Sequence, residues 1–275
     1  MQKKEPIKNE KREYSSSSLI SKNVYSREGG LRTKRIIKKS VKDKPLISIV
    51  TVVFNEANLL EETIKSIINQ SDDNIEYIII DGGSTDSTLD IIQKYEAKID
   101  YWISEKDNGI YDAMNKAIKL ATGIWITNIN CGDKLLHIPI NDLKLAIKGN
   151  YDALCGRVLT EEKNARIPKF NWTIYLHNTL PHQGLYYKKE SIYSAYELGY
   201  KIFSDFAYNI GMYKKKQKVY LSTQILAFHS IIGASNNINN KNELFRVVYD
   251  KGGLLKLVLS YLYFKRMGFL QRFKI

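Results

Sequence analysis

The sequence predicts an α/β fold built on a mainly parallel sheet, with helices on both faces. Three observations carry this. Four short apolar runs rich in β-branched residues alternate with helical segments between residues 45 and 133. Their connections are short, as successive βαβ units require. Each run also stops abruptly in polar residues, and ligands of open α/β sheets sit in the crevice outside the strands' carboxyl ends.

The first run, residues 46–54, is apolar on both faces, the mark of a strand covered from both sides, and ends in Asn55-Glu56. Asn58 then offers an N-cap, with Glu61 three residues on completing a capping box. Leu60, Ile64, Ile67 and Ile68 recur at helical spacing. Residues 75–80 are a second strand, closed by Asp81-Gly82-Gly83-Ser84-Thr85-Asp86, and Asp86 is placed to cap a helix over 89–95. A third strand over 101–103 leads into a polar stretch from Glu105 to Asn108. The third helix is marked by Ile110, Met114, Ala117, Ile118 and Ala121. The fourth strand, 124–129, ends in Asn130-Cys131-Gly132-Asp133, where Gly132 admits a backbone that other residues resist. One such polar strand end is ordinary turn chemistry. Four on one edge of a sheet mark a site.

Beyond Asp133 the periodicity loosens. A helix is expected over 142–147 and a strand over 153–159, followed by an irregular stretch to residue 181 that carries Trp172 and Tyr175. Pro181-His182-Gln183-Gly184 precedes a strand-like 185–187. A helix is expected from about Phe206 to Tyr213, then short strands at 219–221 and 225–228, then a polar segment from His229 to Asn240.

The chain has 275 residues, 44% hydrophobic and 26% charged, enough for a sizeable core. Its net charge of +13 is concentrated at the ends. Residues 1–44 hold 14 Lys/Arg against 5 Asp/Glu, and residues 251–275 hold 6 against none, leaving 22 against 24 in between. A nearly neutral body disfavours a nucleic-acid groove. Basic ends suit an anionic membrane surface, and equally suit solvated tails. Cys131 and Cys155 form no disulfide framework, and no apolar signal region or spanning run is visible, so a cytoplasmic protein is expected. Residues 1–44 lack hydrophobic periodicity and are expected to be disordered. Residues 254–273 mix Leu, Tyr and Phe with Lys256, Lys265, Arg266 and Arg272, fitting either an interfacial segment or a helix packed on the body. Neither a Gly-x-Gly-x-x-Gly nor a P-loop pattern occurs, and no Cys/His spacing fits structural zinc.

The ordered set Phe54-Asn55-Glu56, Asp81 to Asp86, Ser104 to Lys116 and Asn130 to Asp133 resembles the family 2 glycosyltransferases of the GT-A fold. Pro181-His182-Gln183 and Ser204-Asp205 look like that family's acceptor-side motifs, extending the likeness to about residue 235. The branch it resembles builds bacterial surface polysaccharides. The resemblance implies a GT-A, Rossmann-like domain over 45–240, with a nucleotide-sugar half over 45–135 and an acceptor half over 136–240. The basic extension 1–44 precedes it and a helical segment over 241–275 follows.

The resemblance also implies roles. Val52, Phe54, Glu56, Asp81, Asp107, Gly109 and Asn115 would bind the nucleotide-sugar donor, and Asp133 would hold a divalent metal, Mg²⁺ or Mn²⁺. Where many relatives carry further carboxylates this chain has Asn130 and Gly132, so one anion remains. Mg²⁺ sites often use one or two carboxylates together with substrate phosphates. Asp205 would be the catalytic base, against a plain role as helix N-cap. His182, Gln183 and His229 are weaker candidates for contact with the acceptor or the diphosphate; a lone histidine is often structural. The expected activity is inverting transfer to a saccharide or lipid-linked acceptor at the inner face of the cell membrane. The alternatives are a membrane-surface binding module that has lost its chemistry and a nucleotidyltransferase, which should carry a Gly-rich basic phosphate loop absent here.

Overall fold

The structure is a computed structural model that describes residues 26–41, 44–71, 74–162, 164–230 and 240–267. Expectations for residues 1–25, 231–239 and 268–275, including the serine run and the last basic side chains, lie outside the described residues.

Among the described residues, ten strands form one sheet. They are β1 (Arg27–Gly29), β2 (Ile47–Val53), β3 (Ile75–Asp81), β4 (Tyr101–Ser104), β5 (Trp125–Asn128), β6 (Lys134–Leu135), β7 (Ala153–Thr160), β8 (Ala165–Arg166), β9 (Leu185–Lys188) and β10 (Val219–His229). The order is β1-β4-β3-β2-β5-β9-β7-β10-β6, with β8 paired to β7. The four strands expected between residues 45 and 133 run parallel, ordered β4-β3-β2-β5, and β7 and β10 form a second parallel pair. β9 enters antiparallel between β5 and β7 and joins the later strands to the first four.

Helices α1 (Ala57–Ile68), α2 (Thr88–Lys94) and α4 (Ile140–Lys148) cover one face, against Ile47, Ile49, Tyr77 and Ile79. Helices α3 (Ile110–Leu120), α5 (Ser204–Lys214) and α6 (Lys241–Arg266) cover the other, against Val50, Val52, Ile78 and Ile80. Burial on both faces explains why β2 and β3 read as mainly apolar runs without alternation. The two short strands expected at 219–221 and 225–228 are one strand, β10. Its ladder with β7 slips between Leu221 and Ile225 and again between Ile225 and Ala227, where Ser-Thr-Gln breaks the apolar pattern.

Two sequence expectations need correction. The α1 cap is not Asn58 with Glu61. Asp86 Oδ2 accepts from Ala57 N at 3.2 Å and Thr88 Oγ1 from Glu56 N at 3.2 Å, so the β3–α2 loop caps α1 from outside. Asp86 Oδ1 also accepts from Thr88 N at 3.0 Å, as expected of it for α2. Glu61 instead joins α1 to α2 through Lys94 and Tyr95.

The second correction concerns the extension. Residues 27–34 belong to the fold: β1 pairs with β4, and a 3₁₀ turn at Leu31–Lys34 follows. Arg32 pairs with the buried Glu76, whose other partners are Ser48 and Thr122. Lys38 Nζ sits 2.9 Å from Asp100 Oδ2 and 2.6 Å from the Ile75 carbonyl. Burial pushes the Glu76 carboxyl up, yet Arg32, Ser48 and Thr122 together hold it below its usual range. These cations neutralise buried carboxylates, so they are not a solvated tail.

The expected C-terminal helix is a helical hairpin. Gly253 adopts φ 77°, a left-handed conformation that side chains other than glycine's resist. Phe245 consequently lies 6.2 Å from Tyr261 and 5.9 Å from Phe264, centroid to centroid. An unbroken helix would separate those residues by roughly 24–29 Å at about 1.5 Å per residue. Among the described residues, no helix is long and apolar enough to cross a membrane.

Candidate active site

A cavity of about 950 Å³ opens at the carboxyl ends of β2 and β5. One wall is donor-like in the sense expected from the sequence. Val52, Phe54 and Glu56 line it at the end of β2, and Asp107 and Gly109 line it ahead of α3. The Phe54 ring is 58% exposed, so its face is open to a planar ligand. Asn55, at φ 52°, ties this strand end to the next: Ser84 Oγ accepts from Asn55 N at 2.7 Å, and Asn55 Oδ1 accepts from Thr85 N at 2.8 Å. Asp107 Oδ1 accepts from Gly109 N at 2.9 Å, and burial raises the Asp107 carboxyl above its usual range.

Asp81 and Asn115 are not brought onto this wall. Asp81 is fully buried, and its carboxylate accepts from Ser84 N at 3.1 Å and Ser104 Oγ at 2.6 Å. It holds two strand-end loops in place. Asn115 exchanges both amide ends with Tyr196, donating to its carbonyl at 2.9 Å and accepting from its N–H at 2.8 Å. Much of the polar content of residues 104–116 likewise shapes its own loop: Asp112 accepts from Asn108 N at 3.0 Å, and Lys116 pairs with Glu105 at 2.9 Å.

The Asn130–Asp133 turn forms the cavity floor. Gly132 has φ 92°, and Thr63 of α1 pins the turn, accepting from Gly132 N at 3.0 Å and donating to the Asp133 carbonyl at 2.8 Å. The Asp133 carboxylate is buried. Oδ1 accepts from Ser230 N at 3.1 Å and lies 2.8 Å from His229 Nδ1, while Oδ2 accepts from Gln183 Nε2 at 3.0 Å. Gln183 Nε2 is also 2.6 Å from His229 Nδ1.

These contacts do not all agree. A proton on Nδ1 satisfies Asp133 and opposes the Gln183 amide; a bare Nδ1 does the reverse. Turning the amide over sets its oxygen against Asp133 instead. A cation at Asp133 would relieve the conflict. Asn130 Oδ1 is a buried amide oxygen without a partner among the described residues. A carboxylate, an amide oxygen and an imidazole together suit a hard or borderline divalent ion. Among the described residues no three His, Cys, Asp or Glu side chains form a cage, so such an ion would take its remaining ligands from substrate and water.

Asp205 occupies the opposite wall, in the first turn of α5. Its side chain caps nothing. Oδ1 accepts from Tyr111 Oη at 2.9 Å and Oδ2 from Asn178 Nδ2 at 2.9 Å. Asn178 is held in turn by Asn209 Nδ2 at 3.0 Å. His182 bridges the two walls. Nε2 lies 3.3 Å from Asn130 Nδ2, and Nδ1 lies 3.7 Å from Asp205 Oδ2. Burial lowers the His182 pKa, which favours the neutral ring. With Nε2 accepting from Asn130, the proton resides on Nδ1, toward Asp205.

Tyr111, Asn178 and Thr63 escaped the sequence analysis, as did Arg166, Lys169 and Lys201, three cations that line the cavity. Tyr111 lies inside the recognised motif, which is a usable signal. Asn178 has none, because it sits in an irregular stretch and is brought to Asp205 only by tertiary packing. Cys131 lines the cavity, and burial pushes its thiol up to about 12, which disfavours the reactive thiolate.

The family model described as Glycosyl transferase family 2 matches residues 48–215. A PGL/p-HBAD biosynthesis glycosyltransferase of Mycobacterium bovis (strain BCG / Pasteur 1173P2) is 27% identical over 232 residues, 78% of this chain and 89% of that protein. TuaG of Bacillus subtilis (strain 168), named for teichuronic acid biosynthesis, is 40% identical over 95 residues, 33% of this chain and 37% of that protein. Among solved structures, S. aureus TarS 1–349 in complex with UDP-GlcNAc superposes with a TM-score of 0.62 at 16% identity, covering 84% of this chain and 76% of that one. The mannosyltransferase PcManGT of Pyrobaculum calidifontis, in complex with GDP-Man and Mn²⁺, superposes at 0.54 with 15% identity, covering 74% and 64%. At these identities the structural likeness shows the fold.

Proposed function

The chain belongs to glycosyl transferase family 2 and is a glycosyltransferase, and on that premise we propose that it moves a sugar from a nucleotide-diphosphate sugar to an acceptor hydroxyl with inversion at the anomeric carbon. The acceptor is a growing or lipid-linked surface polysaccharide. The observation that carries this reading is one cavity with a buried carboxylate on each side: Asp133 in the strand-end turn and Asp205 on α5.

Val52, Phe54, Glu56, Asp107 and Gly109 hold the base and ribose. Asp81 and Asn115 act on the donor through the loops they fix. The acceptor oxygen attacks the anomeric carbon as its bond to the diphosphate breaks; the diphosphate leaves with that electron pair and Asp205 takes the acceptor's proton. Tyr111 and Asn178 each donate to one oxygen of Asp205, which fixes the carboxylate's direction. Asp133 and Asn130 would hold a divalent ion, with His229 and Gln183 beside them. When bound, that ion supplies positive charge to the leaving diphosphate. The Mn²⁺ complex of PcManGT and the teichuronic acid naming of TuaG support the metal and polymer parts of this reading. The enzyme works in the cytoplasm at the inner face of the membrane, a compartment that suits its two free cysteines.

Calorimetry with UDP-GlcNAc and GDP-Man, with Mn²⁺ and in excess EDTA, tests the proposal when followed by product analysis. We expect metal-dependent binding of a nucleotide sugar and release of nucleoside diphosphate. Donor binding without cleavage would leave a binding module, and pyrophosphate release would indicate nucleotidyl transfer.

A further inference from the structure

The second arm of the α6 hairpin has two faces with different tasks. Its inner face packs on the domain. Ser260 Oγ donates to the Leu176 carbonyl at 2.6 Å, the Tyr263 ring stacks on His177 at 4.7 Å, and Lys256 turns inward over Trp172 and Tyr175. Tyr263 and Phe264 reach the cavity and line its mouth.

The outer face carries Leu254, Leu255, Val258, Tyr261 and Leu262, at the i, i+1, i+4, i+7, i+8 spacing of one helical stripe. The four outermost, Leu254, Leu255, Tyr261 and Leu262, are each at least 50% exposed. A contiguous apolar stripe of this kind marks an interaction surface, unlike scattered single exposed residues. Lys265 and Arg266 extend the same arm; both are exposed and make no ion pair among the described residues. The sequence from 251 to 275 holds six Lys/Arg and no Asp/Glu.

We propose that this outer face docks on an anionic lipid bilayer. The stripe is buried at the boundary between headgroups and acyl chains, and Lys265 and Arg266 meet the lipid phosphates. Charge selects the occupant. An anionic surface neutralises these cations, whereas a second copy of the same arm, with no acid between 251 and 275, offers them no counter-charge. Because the arm's inner face lines the cavity, docking holds the acceptor side of the active site at the bilayer surface. A lipid-linked acceptor then meets Asp205 without leaving the membrane. Only this last step rests on the function proposed above; the docking itself does not depend on sugar transfer.

Vesicle co-sedimentation tests it, using phosphatidylcholine vesicles with and without phosphatidylglycerol. The full chain is compared with Leu255→Glu/Leu262→Glu and with Lys265→Gln/Arg266→Gln. We expect binding only to the anionic vesicles, weakened by salt and reduced about tenfold or more in each variant. Donor hydrolysis in vesicle-free solution should be unchanged, showing that both variants fold. Equal binding by the variants, or no preference for anionic vesicles, would overturn the proposal. So would light scattering that finds a dimer in the wild type and a monomer in the leucine variant, which would assign the face to a second copy. Donor hydrolysis is read separately, so failure of docking and failure of the glycosyltransfer reading give different results.

Discussion

The two sides of the cavity are assembled by different means. On the donor side, the functional groups sit at the ends of adjacent parallel strands, and each loop is tied to its neighbour by short-range bonds such as Asn55 to Ser84 and Thr85. On the acceptor side, Asp205, Asn178 and His182 come from a helix, an irregular stretch and a 3₁₀ turn. They meet because β9 runs antiparallel into the sheet and sets the His182–Gly184 turn beside β5. The carboxylates differ accordingly. Asp133 is surrounded by a histidine, an amide and a backbone N–H whose demands conflict. Asp205 is held by two neutral donors that agree and fix its direction.

Substitution separates the two roles. Asp205→Asn keeps shape and hydrogen-bonding capacity but cannot take a proton. We expect turnover to fall by roughly 10²–10⁴-fold with donor affinity unchanged. Donor affinity lost in parallel, by calorimetry, would move Asp205 into the donor pocket and erase the distinction between the walls. Asp133→Asn should reduce turnover by roughly 10²–10³-fold, the scale on which a group opposing developing charge contributes, and should also abolish the effect of Mn²⁺ on donor binding. A variant that still responds to Mn²⁺ would place the ion elsewhere.

Asn178→Ala is a smaller test. It removes one of two groups that aim Asp205, and we expect a fall of about 10–100-fold in kcat with little change in the donor's KM. Asn178→Asp should not restore the rate, because it sets a second carboxylate against Asp205. An unchanged kcat in the alanine variant would mean that Tyr111 alone orients the base.

The smallest effect concerns His182, the link between the walls. Burial lowers its pKa, and that of His177, below the ordinary value of about 6.5. The folded protein therefore binds fewer protons than the unfolded chain once the pH drops below that value. This part of the stability is complete above about pH 6.5 and is lost as the pH falls through the folded pKa. Tm should be level above that point and decline below it, less steeply in His182→Gln. Parallel Tm curves would show that the bridge to Asn130 carries no proton-linked energy.

The same contrast explains what was legible. The donor half was readable because its strands, helices and polar ends follow each other along the chain, and period and composition register such order directly. The acceptor half was readable only where a motif stood out, as at His182-Gln183 and Ser204-Asp205. The capping of α1 by Asp86 and the approach of Asn178 to Asp205 span about 29 and 27 residues and leave no local pattern. Residues 27–38 were misjudged for a related reason. They contribute little hydrophobic periodicity and are held by Arg32 on Glu76 and Lys38 on Asp100. The usable signal lay elsewhere, in an acidic residue inside the apolar run 75–80 that needed a partner. The carboxyl end, equally basic, shows no such pairing for Lys265 and Arg266 among the described residues and instead presents an apolar stripe.

The central claim is a single displacement, with the diphosphate leaving on the Asp133 side and one base acting from the Asp205 side. The anomeric configuration of the transferred sugar tests this most directly. It can be read by NMR on the first product formed from a configurationally defined nucleotide sugar, with an oligosaccharide acceptor or with water. The account predicts a product of opposite configuration to the donor. A product of the same configuration would require a second displacement or a front-side path, and would contradict the division of labour between the two walls.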